Sequence, residues 1–240
     1  PQGYFDIFEI DTTRIIQVPV TDLEELKFDM VAQLNGIETD DKVFIMVDSV
    51  GNLASKKEVE DAEKGSSAAD MTRAKQFKSL FRMITPHLTM KDIPMVAINH
   101  TYESQGMFPT KVVSGGTGMY YSADTIWIVG RQQDKVGTEI AGYHFVINVE
   151  KSRFVKEKSK ILISVSWERG VDKFSGLLDM ALGYGIVLRS GAWYQMVDME
   201  TGEVVDKKFR EKDTHNQEFW NPILEDDKFN NWLKDRYRVG

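Results

Sequence analysis

The chain has 240 residues, enough for one large domain or a domain with an appendage, and its 42% hydrophobic and 28% charged residues are ordinary globular material. It contains no Cys, which excludes disulfides and thiolate metal sites, and its net charge of −7 argues against a whole surface built to bind polyanions. Any nucleic-acid site must then be a local basic patch. No apolar run is long enough to cross a bilayer, and the opening PQGYFDIFEID does not read as a signal peptide. The chain begins without Met and in mid-pattern, so it is expected to be a segment of a longer protein.

In chain order, Arg14–Val20 (RIIQVPV) reads as a short strand. Thr21-Asp-Leu-Glu24 has the spacing of a capping box and opens an amphipathic helix to about Asn35, with Leu23, Leu26, Met30 and Leu34 on one face. Five apolar residues, Val43 to Val47, predict a buried strand of a parallel sheet. Glu58–Asp70 is acidic, rich in small residues and without apolar period, which predicts a mobile loop. A helix is predicted from about Met71 to His87, with Pro86 near its end. Ile93–Asn99 is a second buried strand, and Thr101–Gly118 is a second long loop, rich in Gly, Ser and Thr. Strands follow at Thr125–Gly130, Tyr143–Val149 and Lys160–Trp167, then a helix at Ser175–Tyr184 and a mixed tail with Trp193, Trp220 and Trp232. The alternation in the first half implies a parallel α/β sheet, with hairpin-linked strands added in the second.

The apolar run at Val43–Val47 ends in Asp48 and Ser49, followed by a Gly-Asn step. A carboxylate at the carboxyl end of a parallel strand stands where doubly wound sheets bind ligands, and it suits Mg²⁺, which prefers oxygen. A strand-end Asp that only caps a turn explains the same residues. The phosphate loop G-x-x-x-x-G-K-[ST] that normally accompanies such an acid is absent from these 240 residues. His100 closes the second buried strand and opens the second loop. If its strand neighbours that of Asp48, both tips face one crevice, where His100 is placed to feel a terminal phosphate and pass its presence to the loop behind.

Within that loop, Met107, Phe108, Lys111 and the pair Gly115-Gly116 stand out. Bare glycine amides approach phosphates closely, and an exposed Phe stacks on bases for ~1–3 kcal/mol each. A surface loop whose Phe covers a core edge is the plainer alternative. On the preceding helix Arg73, Lys75, Lys78 and Arg82 gather cations, with Lys75, Lys78 and Arg82 on one face. Glu150–Lys160 connects two strands and carries five basic side chains, Lys151, Arg153, Lys156, Lys158 and Lys160, which serve equally as edge protection or as a phosphate site.

Together these stretches resemble the RecA family of recombinases, and most closely the UvsX-type recombinases of large tailed phages. The likeness is carried by VFIMVDSVGNLASKKE, SAADMTRAKQFKSLFRMITP, IPMVAINHTYESQGMF, SGGTGMYYSADTIWIV, NVEKSRFVKEKSK, SGLLDMAL and GAWY at Gly191–Tyr194, in the family's order along nearly the whole chain. The resemblance implies a RecA-like α/β core over residues 1–190, with a mostly parallel central sheet flanked by helices and an antiparallel extension. A small C-terminal α+β portion would cover residues 191–240. It implies ATP and Mg²⁺ as cofactors, with Asp48 as the Mg²⁺-associated acid, Ser49 beside it, and Tyr4 and Trp167 lining the adenine. His100 corresponds to the γ-phosphate sensor, and Lys151 and Arg153 to the pair that reaches a neighbouring subunit's ATP. The Glu58–Asp70 and Thr101–Gly118 stretches become DNA-binding loops. Lys75, Lys78, Arg82, Lys111, Gly115 and Gly116 lie on the single-strand backbone, and Met107 and Phe108 insert between nucleotide triplets.

The implied activity is ATP-dependent strand exchange by filaments on single-stranded DNA, which pair it with duplex DNA in phage recombination, repair and replication. Single-stranded and double-stranded DNA, self-association, and mediator and single-strand-binding proteins are the implied partners, in the cytoplasm of an infected bacterium and away from membrane. The family's phosphate loop and catalytic Glu lie upstream of Pro1, so these 240 residues alone are expected to be inactive as an ATPase. A non-catalytic paralogue that caps or regulates a recombinase filament is the alternative, and a hexameric helicase motor of the same core fold is a third. Intact loop residues at Phe108, Lys111 and Gly115-Gly116 weigh against the regulator, and the GAWY stretch weighs against the helicase.

Overall fold

The computed structural model describes Phe5, residues 10–65 and residues 72–239. The chain divides into two compact units, Pro1–Ser122 and Ala123–Gly240.

In the first unit, helix α1 (Leu23–Gly36) buries Leu23, Leu26, Met30 and Leu34, the face its sequence period predicts. Its N-cap is Asp22, one residue later than the expected Thr21. The Asp22 carboxylate accepts from the Glu25 backbone N–H at 2.7 Å. The Glu25 carboxylate in turn accepts from the Thr21 N–H at 2.7 Å and the Thr21 hydroxyl at 2.8 Å. These bonds, backbone first, hold the Glu25 carboxyl below its ordinary value. At the other end Lys91 donates to the carbonyls of Leu34, at 2.6 Å, and Ile37, a cation placed against the helix's negative terminus. The expected strand over Arg14–Val20 does not form: Thr12–Arg14 is a 3-10 turn, and residues 15–20 join no strand ladder. Pro19 can donate nothing to a ladder there, and Ile16 is left 83% exposed.

Strands β1 (Ile45–Val47) and β2 (Met95–Ala97) pair in parallel, Met46 opposite Val96. Ile45, Val47, Met95 and Ala97 pack on the core, whereas Phe44, Met46 and Val96 are exposed. The apolar runs therefore bury one face, not the two that their composition predicts. Between them lie α2 (Lys56–Glu63) and α3 (Thr72–Met90). Helix α2 corrects the expected loop over Glu58–Asp70. Ser55 caps it by accepting from the Glu58 N–H at 3.1 Å, and local capping suffices without an apolar stripe. The last part of that stretch, residues 66–70, lies outside the described residues. Helix α3 passes through Pro86 to Met90, because Leu88 still packs on the core beyond it. Phe77, Leu80, Phe81 and Ile84 of α3 close over α1.

The expected loop Thr101–Gly118 is a hairpin. Strands β3 (Thr101–Glu103) and β4 (Lys111–Val113) pair antiparallel, with Glu103 opposite Lys111, and helix α4 (Thr117–Ser122) follows. The strand signal is short and surrounded by turn residues, which hid it.

The second unit opens with a four-stranded antiparallel sheet of β5 (Thr125–Val136), β6 (Glu139–Ser152), β7 (Lys160–Ser166) and β8 (Gly170–Val171). Helix α5 (Leu177–Tyr184) leads to a three-stranded antiparallel sheet of β9 (Val187–Ser190), β10 (Trp193–Val197) and β11 (Val204–Phe209), then α6 (Gln217–Leu224) and α7 (Asp227–Tyr237). A second core unites Ala181, Ile186, Val187, Tyr194, Phe219, Trp220, Ile223 and Phe229, and so joins residues from both sides of position 190. Among the described residues β1–β2 is the one parallel pair; every other sheet is antiparallel. A mostly parallel central sheet is thus not what these residues show. No helix among them is long and apolar enough to cross a membrane.

Phe77 is fully buried between α1, α3 and α4. Phe77→Ala is expected to cost about 3–5 kcal/mol of unfolding free energy in urea denaturation. Phe28→Ala, at a side chain 79% exposed, is expected to stay within about 0.5 kcal/mol.

Candidate nucleotide and DNA site

Parallel pairing brings the carboxyl ends of β1 and β2 to one edge, and with them Asp48 and His100. After Asp48 the chain turns through a 3-10 segment, Val50–Asn52. Val50 anchors it from both sides: its side chain is fully buried, and its N–H donates to the Ile98 carbonyl at 2.9 Å. The turn then runs against the end of β2. A Cβ at Gly51 would stand 2.5 Å from His100 Cδ2 and 2.9 Å from Asn99 Oδ1, so this approach needs glycine. Across the gap His100 Nε2 lies 2.8 Å from Asn52 Oδ1.

The same junction is tied to the β3–β4 hairpin. Asn99 donates from Nδ2 to the Ser114 carbonyl at 2.7 Å and accepts the His100 N–H on Oδ1 at 2.8 Å. Ser114 N–H donates to the His100 carbonyl at 3.0 Å. The hairpin is therefore clamped at its base on both sides by the residues around His100. At its tip, Met107 and Phe108 are 88% and 84% exposed.

Gly115 and Gly116 have φ of +91° and +78°, and they lead the chain from the hairpin onto α3. A Cβ at Gly115 would meet Met119 and Phe77 at 3.0 and 3.3 Å, and Gly118 already lies against Lys78. Gly115, Gly116 and Gly118 thus run along α3, against Phe77, Ala74 and Lys78 respectively. Lys75 and Arg82 flank Lys78 along the helix, exposed, as is Lys111 on β4.

Arg73 is a correction to the expected cationic stripe. Its guanidinium turns inward, donating to the carbonyls of Leu53 at 2.8 Å and Gly51 at 2.7 Å and lying over the Phe77 ring at 5.0 Å. It braces the turn that presents Asn52. Spacing alone could not separate it from its solvated neighbours.

Asp48 is exposed, whereas the Ser49 hydroxyl oxygen is buried without a hydrogen-bond partner. Burying such an oxygen unpaired is unfavourable, so it marks a place for a further polar group. No cluster of three or more His, Cys, Asp or Glu residues that could hold a metal occurs among the described residues. An exposed strand-end carboxylate beside an unpaired hydroxyl is oxygen-donor chemistry that fits a hard cation such as Mg²⁺.

In the second unit, Lys151 and Arg153 sit at the end of β6. Lys151 donates to the Ala123 carbonyl at 2.6 Å, and Arg153 pairs with Asp124 at 3.1 Å, both members of that pair exposed. Trp167, 65% exposed at the end of β7, sets its ring edge on Tyr143, whose face also carries the Arg131 guanidinium at 4.7 Å. Tyr4 lies outside the described residues. Sequence reading missed Gly51, Asn52 and Asn99. The signal was there, a Gly-Asn step just after the strand-end Asp and an Asn just before the His, but it acquires meaning only once β1 and β2 are adjacent.

A family model described as "Bacteriophage T4, Recombination and repair protein, C-terminal domain" matches residues 174–233. The recombination and repair protein of Enterobacteria phage T4 is 50% identical over 99% of this chain, which spans 62% of that relative. The RecA protein of Malacoplasma penetrans is 23% identical over 80% of the chain and 57% of its own length. That of Tropheryma whipplei is 28% identical over 66% and 37%. The chain thus spans about three fifths, or less, of the length of these relatives. Along nearly its whole length the chain is thus similar to the phage recombination and repair protein, sharing half its residues with it, and at lower identity it is similar to bacterial RecA proteins.

Proposed function

We infer that this chain is the ATP-responsive, DNA-gripping part of a strand-exchange protein that forms filaments on single-stranded DNA and pairs it with duplex DNA in an infected bacterium. The observation that carries this reading is the position of His100. It lies at the same strand edge as Asp48, its ring against Asn52, and at the base of the hairpin that exposes Met107 and Phe108. A group there senses a bound phosphate and moves the hairpin with it.

Asp48 and Ser49 would hold Mg²⁺ and ATP phosphate through their oxygens, and a bound Mg²⁺ would supply charge neutralisation for phosphoryl transfer. Trp167 offers an exposed aromatic ring for a base. Lys151 and Arg153 carry positive charge to ATP held by a neighbouring subunit. Arg153 must first leave Asp124, an exposed pair worth about 0–1 kcal/mol, so its release costs little. Lys75, Lys78, Arg82 and Lys111 neutralise backbone phosphates, Gly115 and Gly116 admit the backbone closely, and Met107 and Phe108 enter between bases. Such contacts carry no base code, so binding is indifferent to sequence. In this reading β1 and β2 are part of the family's mostly parallel central sheet, and residues 191–240 a C-terminal portion. Mediator and single-strand-binding proteins are the further partners it implies.

Four outcomes test it. In the protein that contains this chain, Phe108→Ala is expected to weaken single-strand binding about tenfold, and binding should fall steeply between low and moderate salt. Titration by fluorescence anisotropy reads both, and salt-independent binding would overturn the mechanism. Gly51→Ala, whose Cβ collides with His100, is expected to remove the effect of ATP on DNA affinity. The 240 residues by themselves carry no G-x-x-x-x-G-K-[ST], and no DNA-stimulated phosphate release is expected from them in a phosphate-release assay.

A further inference from the structure

The Asn52–His100 contact has a direction. Asn52 Oδ1 can only accept, so the His100 ring carries its proton on Nε2 and donates it to Asn52 at 2.8 Å. The oxygens of a phosphate are acceptors too. One N–H cannot point at both, so Asn52 and a terminal phosphate compete for the same proton.

Both partners in the contact are held in place. Asn52 sits on the turn that Arg73 braces through the Gly51 and Leu53 carbonyls, and that Val50 pins to Ile98. His100 is fixed at its backbone by Asn99 and Ser114, and the exposed hairpin begins with the next residue, Thr101. Gly51 supplies the space in which the imidazole reaches Asn52 at all.

We propose that Asn52 is a latch: its side-chain carbonyl holds the His100 ring by the Nε2–H hydrogen bond, and a terminal phosphate switches the hairpin by drawing that hydrogen bond to itself. Asn52 is in this scheme a positioning residue that sets the threshold of the switch, and His100 is the group that touches the nucleotide. The latch rests on the functional reading above, in which His100 is the sensor. A ligand shifts such an equilibrium only through its different affinity for the two states, so weakening one state moves the threshold.

The test compares wild type, Asn52→Ala and Asn52→Asp in the intact protein, measuring single-strand affinity without nucleotide and with rising ATPγS and Mg²⁺. Asn52→Ala removes the acceptor. It is expected to raise nucleotide-free DNA affinity roughly two- to tenfold, the worth of one hydrogen bond, and to lower the ATPγS concentration at half effect by a similar factor. Asn52→Asp keeps an acceptor and adds charge, so both quantities should move the opposite way. In a His100→Ala background, Asn52→Ala should change neither. If wild type shows no response to ATPγS, the functional reading itself fails. If wild type responds but both Asn52 variants shift in one direction, or Asn52→Ala retains its effect without His100, the latch is overturned and Asn52 only supports the turn.

Discussion

The arrangement depends on one close approach, that of the turn after β1 to the end of β2. No side chain fits between Gly51 and His100, and the parallel register that sets Val47 opposite Ala97 brings the two backbones to this distance. Given that contact, Asp48, Asn52 and His100 share an edge, and the hairpin behind His100 inherits a fixed base. Without it, the same residues would lie on separate strands with nothing to exchange.

The cations of the first unit divide by their work. Arg73 and Lys91 direct their charge inward, to the carbonyls of a turn and of a helix end. Lys75, Lys78, Arg82 and Lys111 stand on the surface, beside or on the elements that carry Gly115, Gly116 and Phe108. A chain of net charge −7 can still carry exposed cations together on one helix in this way. Bracing by Arg73 is also what lets the turn present Asn52 while its neighbours remain solvated: a guanidinium has donors enough for both carbonyls and a flat face for Phe77.

The second unit is built on other terms. Its sheets are antiparallel, and its core is aromatic, with Phe219 and Trp220 packed edge to face at 5.0 Å and Phe174 stacked on Trp220 at 6.1 Å. The His215 ring meets the Asp172 carboxylate at 2.8 Å, tying the turn after β8 to the segment before α6. The match to the phage C-terminal domain begins at Phe174, the residue whose N–H donates to that same carboxylate at 2.9 Å.

The sequence by itself determined the elements whose signals are local. The apolar period of α1, the helix over residues 72–87, the strand-end Asp48 and the strand-end His100 were all legible, because side-chain period and strand termini are written in neighbouring residues. The family resemblance was legible too, in the order of seven short stretches. Tertiary structure decided the rest. Short strands such as Thr101–Glu103 and Lys111–Val113 exist only by pairing with each other, and α2 rests on a cap, not a stripe. Arg73 differs from Lys75 only in what lies within its reach, and Asn52 gains a role only when β2 is laid beside β1. Contacts between residues 48 positions apart in the chain, such as Asn52 with His100, leave no periodic trace, since only the fold brings them into hydrogen-bonding range.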